Sequence, residues 1–313
     1  MMDIKKVLVA DAVDASCVQL LKNNGIDVDC KYKLPKEQLI AEIPKYDGLI
    51  VRSDTKVAAD VIAGNNLKVV GRAGAGVDNI DINTATAKNI LVLNTPGGNA
   101  ISACELTCSL ITSLARNVVP AAASLKAGRW DRKLYSAMSC MAKRLPSWVW
   151  TIGYDPIVSP EESKKFNVES LTLDQIWPLA DYITVHTPLI PETRNLICEA
   201  ALNKCKKGVC IVNVARGGIV NESDLLKAIK SGQCGGAALD VFEQEPPTDS
   251  VTLELINNDK VIATPHLGAS TTEAQIRVAV EIAEQFIALT GKNNEYTTTP
   301  GVVNRSVLQK LKM

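Results

Sequence analysis

Short apolar runs rich in valine and isoleucine recur along this chain, separated by amphipathic stretches. The runs at 6–10, 27–32, 48–52, 68–71, 90–93, 151–154, 182–186, 208–214, 236–241 and 261–264 are predicted as strands. Most are continuously apolar rather than alternating, which marks strands buried on both faces of a parallel sheet. Helical stretches between them give an α/β chain with right-handed crossovers. A helix is predicted over 101–116, just after the turn N-T-P-G-G-N at 94–99, and a second over 273–290. The second is apolar at Ile276, Val280, Ile282, Ala283 and Ile287. These two helices are read as crossings between two units, 1–97 together with 286–313, and 98–285. The tail Y-T-T-T-P-G-V-V-N at 296–304 is read as a linker returning to the first unit.

Length and charge narrow the picture. A chain of 313 residues can bury two separate cores. Lys plus Arg and Asp plus Glu both number 34, and no long basic run occurs, which argues against nucleic acid or an anionic membrane as partner. No apolar run reaches the roughly 20 residues of a membrane span, and the start M-M-D-I-K-K-V-L-V-A-D lacks a signal peptide's layout. Nine cysteines are scattered without a C-x-x-C pair, and there are two histidines. Cys104 and Cys108 lie four apart on a predicted helix, but nothing is spaced to complete a zinc site with them. No metal is expected. Unpaired thiols fit a reducing compartment, the cytoplasm.

Candidate chemistry lies at strand ends, where open α/β sheets place their ligands. Arg216 follows I-V-N-V-A and precedes two glycines, Glu245 lies beyond G-A-A-L-D-V-F, and His266 follows V-I-A-T-P. Singly, each has a plainer reading as turn residue, loop acid or cap. Together they fit hydride transfer. Arginine can hold a carboxylate at two points, and histidine can take a proton from an alcohol while a neighbouring acid raises its pKa. Asp155 ends the short strand at 151–154 and suits the ribose of a dinucleotide, a role that places a G-x-G-x-x-G turn about 20 residues earlier. Counting back reaches R-K-L-Y-S-A-M-S-C-M at 132–141, and no glycine occurs between Gly128 and Gly153.

Four strings settle the affinity: R-A-G-A-G-V-D-N at 72–79, N-V-A-R-G-G-I-V at 213–220, A-A-L-D-V-F-E-Q-E-P-P at 237–247 and A-T-P-H-L-G-A-S-T at 263–271. They resemble the NAD-dependent D-2-hydroxyacid dehydrogenases over nearly the whole chain outside 136–150. The resemblance implies a flavodoxin-like substrate domain and a Rossmann-type nucleotide domain with NAD as cofactor. Within the family the motifs are most similar to enzymes that oxidise 3-phospho-D-glycerate to 3-phosphohydroxypyruvate, opening L-serine synthesis. By the same resemblance, Arg216 orients the substrate carboxylate, and His266, paired with Glu245, exchanges the hydroxyl proton. Asp155 holds the adenine ribose. Thr187, Val214, Ala215 and Asp240 line the dinucleotide, with Asp240 facing the nicotinamide amide, and Ala75, Gly268 and Ala269 lie along the cofactor. Gly74 and Ala75 present backbone N–H groups to substrate, while Arg52, with Arg72, meets its phosphate. Family members associate through the nucleotide domain, so a homo-oligomer, dimer or tetramer, is expected. Some relatives continue into serine-sensing domains, so feedback control through such domains is not expected of this sequence. Three rival readings keep the fold and drop the chemistry: a catalytically dead or unstable variant, a non-catalytic binding protein and an inactive subunit.

One stretch breaks the resemblance. Family members carry a strand, glycine turn and helix, G-K-T-L-x-x-L-G-L-G-R-I-G-R-E, where this chain has S-A-M-S-C-M-A-K-R-L-P-S-W-V-W at 136–150. Read from the third base of each codon, Met141 followed by Ala142 must yield glycine, and so must Trp148 followed by Val149. Synonymous codons in between can give G-K-T-L-A-V-L-G-L. The stretch therefore reads as a shifted frame, followed by loss of the turn and helix and a return to frame at Thr151. The nucleotide domain is expected to lack its first strand, loop and helix, disrupted at 136–150.

Overall fold

The computed structural model describes residues 2–63, 66–136, 151–293 and 295–311. The first sheet contains β1 (Lys6–Val9), β2 (Asp27–Cys30), β3 (Gly48–Val51), β4 (Val69–Arg72) and β5 (Leu91–Leu93). All neighbours are parallel, in the order β2-β1-β3-β4-β5. This is the flavodoxin-like order, whose switch point lies between β1 and β3. Its strands are apolar throughout because helices cover both faces: Gly48, Leu49, Ile50 and Val51 are all buried.

The long helix Thr272–Thr290 belongs to this sheet. Thr271 caps its start and Gly291, at φ 63°, ends it. Ala274, Val278, Ile282 and Phe286 recur every four residues on its buried face, with Ala279, Ala283 and Ile287 alongside. The Phe286 ring lies over Gly48 and Gly71, where a Cβ on either strand would overlap it. Ile276, expected on the apolar face, is exposed, since it stands outside that every-fourth stripe. The chain divides into two compact units, Met1–Ser102 with Ala269–Met313, and Ala103–Gly268. The sequence reading ended the second unit at 285. The division falls earlier because the whole helix packs on the first sheet. The tail returns there as expected: Val302 bridges Leu93, and the Asn304 side chain bonds Val92 N–H and the Ile90 carbonyl.

The second unit holds β6 (Thr151–Gly153), β7 (Val168–Ser170), β8 (Tyr182–Val185), β9 (Val209–Asn213), β10 (Cys234–Leu239) and β11 (Val261–Ala263). β7 escaped the sequence reading because V-E-S is short and only half buried. Strands β8 to β11 form one parallel sheet, while among the described residues β6 and β7 pair only with each other. In a doubly wound sheet ordered 3-2-1-4-5-6, β7 and β6 occupy places 3 and 2, and β8, β9 and β10 occupy 4, 5 and 6. No strand among the described residues fills place 1. Of the stretch read as frame-shifted, 136–150, all but Ser136 lies outside the described residues.

Candidate active site

In the second unit, the loops leaving β8, β9, β10 and β11 carry the expected residues. Asn213 closes the β9 loop. Its amide donates to the Arg216 carbonyl at 2.8 Å, and its oxygen accepts from Ala215 N–H at 3.0 Å. The Arg216 guanidinium donates to the Ala215 carbonyl at 2.6 Å. Next in line, Gly217 lies directly against the backbone of Phe242 and Glu243, where a Cβ would overlap the Phe242 carbonyl. That approach sets the Arg216 loop on the loop bearing Glu245. Glu245 is pinned in turn, since its Oε1 accepts from Phe242 N–H at 3.0 Å while Oε2 meets His266 Nδ1 at 2.7 Å.

His266 adopts a left-handed backbone, φ 56°, which is costly for a residue with a side chain. The surroundings hold it there: its N–H donates to the carbonyls of Asp240 at 2.8 Å and Thr264 at 3.0 Å. Asp240 anchors the rest of that loop. Its fully buried carboxylate accepts from Thr264 Oγ1 at 2.6 Å, Leu267 N–H at 2.7 Å and Gly268 N–H at 2.8 Å. A residue expected to face a cofactor amide thus accepts three hydrogen bonds from its own chain, which tie down the loop bearing the histidine.

Charges around the pair oppose one another, and the net effect favours the ion pair. The hydrogen bond to Glu245 raises the His266 pKa; burial opposes this, the charges of Glu245 and Asp240 reinforce it, and Arg216 pulls it down. Burial pushes the Glu245 carboxyl up, but bonds from His266 and Phe242 N–H, with the charges of His266 and Arg216, bring it below the ordinary value. With Nδ1 committed to Glu245, Nε2 is the nitrogen left to exchange a proton.

The remaining dinucleotide residues are placed as follows. Asp155, exposed just past β6, uses Oδ1 to accept from Ile157 and Val158 N–H groups at 2.8 and 3.1 Å. Thr187 lies past β8 with its hydroxyl shielded from solvent and without a hydrogen-bond partner among the described residues. Val214 is buried and Ala215 half buried at the end of β9. The orphaned Thr187 hydroxyl and the Asp155 carboxyl suit the sugar and nicotinamide parts of NAD. The pyrophosphate fits less well: in this fold it rests on the glycine turn after strand 1, and residues 129–152 contain no glycine.

The first unit carries the expected substrate residues. Arg52 follows β3, and its guanidinium meets the Gln275 amide oxygen. Gln275 is itself oriented by a 2.6 Å bond to the Ala269 carbonyl. Arg72, expected to help with the phosphate, folds back onto its own loop, donating to the Gly76 carbonyl at 2.6 Å. Gly74 N–H, expected to face substrate, donates instead to the Arg72 carbonyl at 2.9 Å. Both shifts have one cause: the loop closes on itself and is tied by Thr95 N–H to the Gly74 carbonyl and by Asn94 to the Ala75 carbonyl. Sequence reasoning missed Asn213 and the anchoring task of Asp240. Their only signal is a polar residue ending an apolar strand.

Residues 140–268 match the NAD binding domain of the D-isomer specific 2-hydroxyacid dehydrogenases. The chain is 50% identical to human D-3-phosphoglycerate dehydrogenase over 324 residues, covering 98% of this chain and 60% of that protein. It is 43% identical to the enzyme of that name from Archaeoglobus fulgidus, covering 90% of this chain and 56% of the relative. The chain therefore spans about three-fifths of these relatives' length. The human match extends over more residues than the 313 of this chain, so the relative has positions with no counterpart here. The fold is similar to that of Aquifex aeolicus D-lactate dehydrogenase complexed with NAD and lactic acid, at TM-score 0.79 and 22% identity, covering 96% of this chain and 99% of that one.

Proposed function

Because residues 140–268 match the NAD binding domain of the D-isomer specific 2-hydroxyacid dehydrogenases, we propose that this chain is one of them and oxidises 3-phospho-D-glycerate to 3-phosphohydroxypyruvate with NAD, the opening step of L-serine synthesis. The observation that carries this reading is the His266–Glu245 pair at 2.7 Å, with the charge of Arg216 acting on both members. NAD, when bound, supplies the hydride acceptor. Arg216 holds the substrate carboxylate through its planar fork. His266 takes the hydroxyl proton at Nε2, and Glu245 stabilises the imidazolium so formed. Arg52 receives the phosphate. Asp155 and Thr187 are the residues that would hold the cofactor.

A second reading is favoured by the separation of β6–β7 from β8–β11 and by the glycine-free stretch: a chain with the proton chemistry in place and the dinucleotide poorly held. Loss of three charge-assisted hydrogen bonds at about 1.5–3 kcal/mol each would remove roughly 4.5–9 kcal/mol of binding. At about 1.4 kcal/mol per tenfold, micromolar affinity would fall below millimolar. Fluorescence titration of the purified chain with NADH, beside an assay of NADH formation from 3-phospho-D-glycerate, separates the two. Turnover supports the first reading. Affinity weaker than millimolar without turnover supports the second, and micromolar affinity without turnover sinks the proposed chemistry.

We place the protein in the cytoplasm because all eight described cysteines are free. Burial pushes the Cys17 and Cys234 thiols up to about 12, leaving them inert. No helix among the described residues is long and apolar enough to cross a membrane. We also assign the molecule as a homo-oligomer.

A further inference from the structure

The flavodoxin-like sheet has its switch point between β1 and β3, where a fold of this order usually receives a ligand. In this chain that crevice is occupied by one of its own side chains. Asp11 stands two residues past β1 and is only 5% exposed. Its Oδ2 accepts from Arg52 N–H at 2.6 Å and Thr55 N–H at 3.2 Å, and its Oδ1 accepts from Thr55 Oγ1 at 2.6 Å. Two backbone amides and a hydroxyl converging on a carboxylate form the sort of nest that otherwise cradles a bound anion.

The same turn is gripped from its other side. The Asn79 amide donates to the Arg52 carbonyl at 2.7 Å and to the Thr55 carbonyl at 2.6 Å. Asn79 Oδ1 is left shielded and without a hydrogen-bond partner among the described residues. An orphaned buried acceptor is costly, and here the cost accompanies a fixed geometry for residues 52–55. The guanidinium of Arg52 is steadied by a neutral partner, the Gln275 amide, rather than by a carboxylate. Its charge is therefore not neutralised by an ion pair among the described residues. A buried carboxylate bonds the backbone at the base of the turn, and the Arg52 guanidinium at the same turn has no ion-pair partner among the described residues.

We propose that Asp11, supported by Asn79, is a positioning residue that fixes the 52–55 turn so that Arg52 recognises the phosphate of a phosphorylated hydroxy acid. The proposal rests on the substrate reading given above, and its test keeps the two apart. Calorimetric titration of the full chain with 3-phospho-D-glycerate and with D-glycerate gives a phosphate preference that needs no bound cofactor. The wild type is expected to prefer the phosphorylated acid at least tenfold, and Arg52→Ala to abolish that preference. Asp11→Asn keeps the shape and removes the charge that orders the donors. It is expected to lower the preference about tenfold while changing D-glycerate affinity less than twofold. A merely structural role would weaken both ligands alike. Thr55→Val removes the hydroxyl bond to Asp11 and keeps the backbone one, and should lower the preference severalfold. It decides the matter if Asp11→Asn does not fold. A wild type without preference overturns the phosphate reading, and this inference with it. A wild type with preference that survives in the folded Asp11 variant, in Thr55→Val when that variant does not fold, or in Arg52→Ala, overturns the inference alone.

Discussion

His266 is one of only two histidines, and its surroundings contrast with those of the other. Its bond to Glu245 raises its pKa above the ordinary 6.5, whereas burial lowers that of His186. Two imidazole signals in an NMR titration should therefore bracket that value. Glu245→Gln removes the largest raising influence, so the upper midpoint should fall while the lower stays in place. If both midpoints remain unmoved, the pairing does not set the histidine's protonation. The sign follows through to catalysis. Proton acceptance needs neutral imidazole, so the rising limb of kcat/KM moves to lower pH in Glu245→Gln, with a drop in rate of about 10²-fold. For stability the pair works in a window. The glutamate contribution is present above its ordinary 4.5 and lost as pH falls through its lowered value. The histidine contribution is present below 6.5 and lost as pH rises through its raised value.

Loops rather than strands decide whether these side chains meet. Gly217 lets the loop after β9 rest on the backbone after β10, so Gly217→Ala should cost about 1–3 kcal/mol through overlap with the Phe242 carbonyl. Gly97→Ala, at a position where a Cβ meets open space, should leave the urea midpoint unchanged. Equal midpoints for the two variants would refute the close approach. The strands themselves were largely legible, because V-L-V, G-L-I-V and C-I-V-N can only be buried on both faces. The meeting of Glu245 with His266 could be anticipated too, since both stand in the loops beyond such runs. What could not be read was how the loops fold. Nothing in R-A-G-A-G announces that Arg72 turns back to the Gly76 carbonyl, and nothing in V-A-D announces that Asp11 closes on Arg52. Those outcomes depend on long-range partners such as Asn94 and Asn79, which pattern alone does not pair.

Across the second unit, exposed apolar side chains concentrate in two stretches, 118–134 and 154–166, with Ile190, Leu253 and Leu267 apart from them. Val118, Val119 and Leu125 on the helix Val118–Lys126 are about half exposed, and Trp130 and Leu134 beyond it are 82% and 75% exposed. So much apolar surface on one segment fits burial between copies of the chain. Sedimentation equilibrium should give a mass of at least twice the chain's, and Trp130→Ser should shift it toward a monomer. A monomeric wild type would remove the oligomer from the picture. One more consequence lies in the divided sheet. Among the described residues, β6 pairs only with β7 and β8 only with β9, so each strand has a flank of backbone N–H and C=O groups without a ladder. Such flanks are templates for strand addition by a neighbouring polypeptide. In a crowded cell, this chain's fate would then depend on its abundance: a scarce copy refolds alone, while a plentiful one competes with chaperones against aggregation.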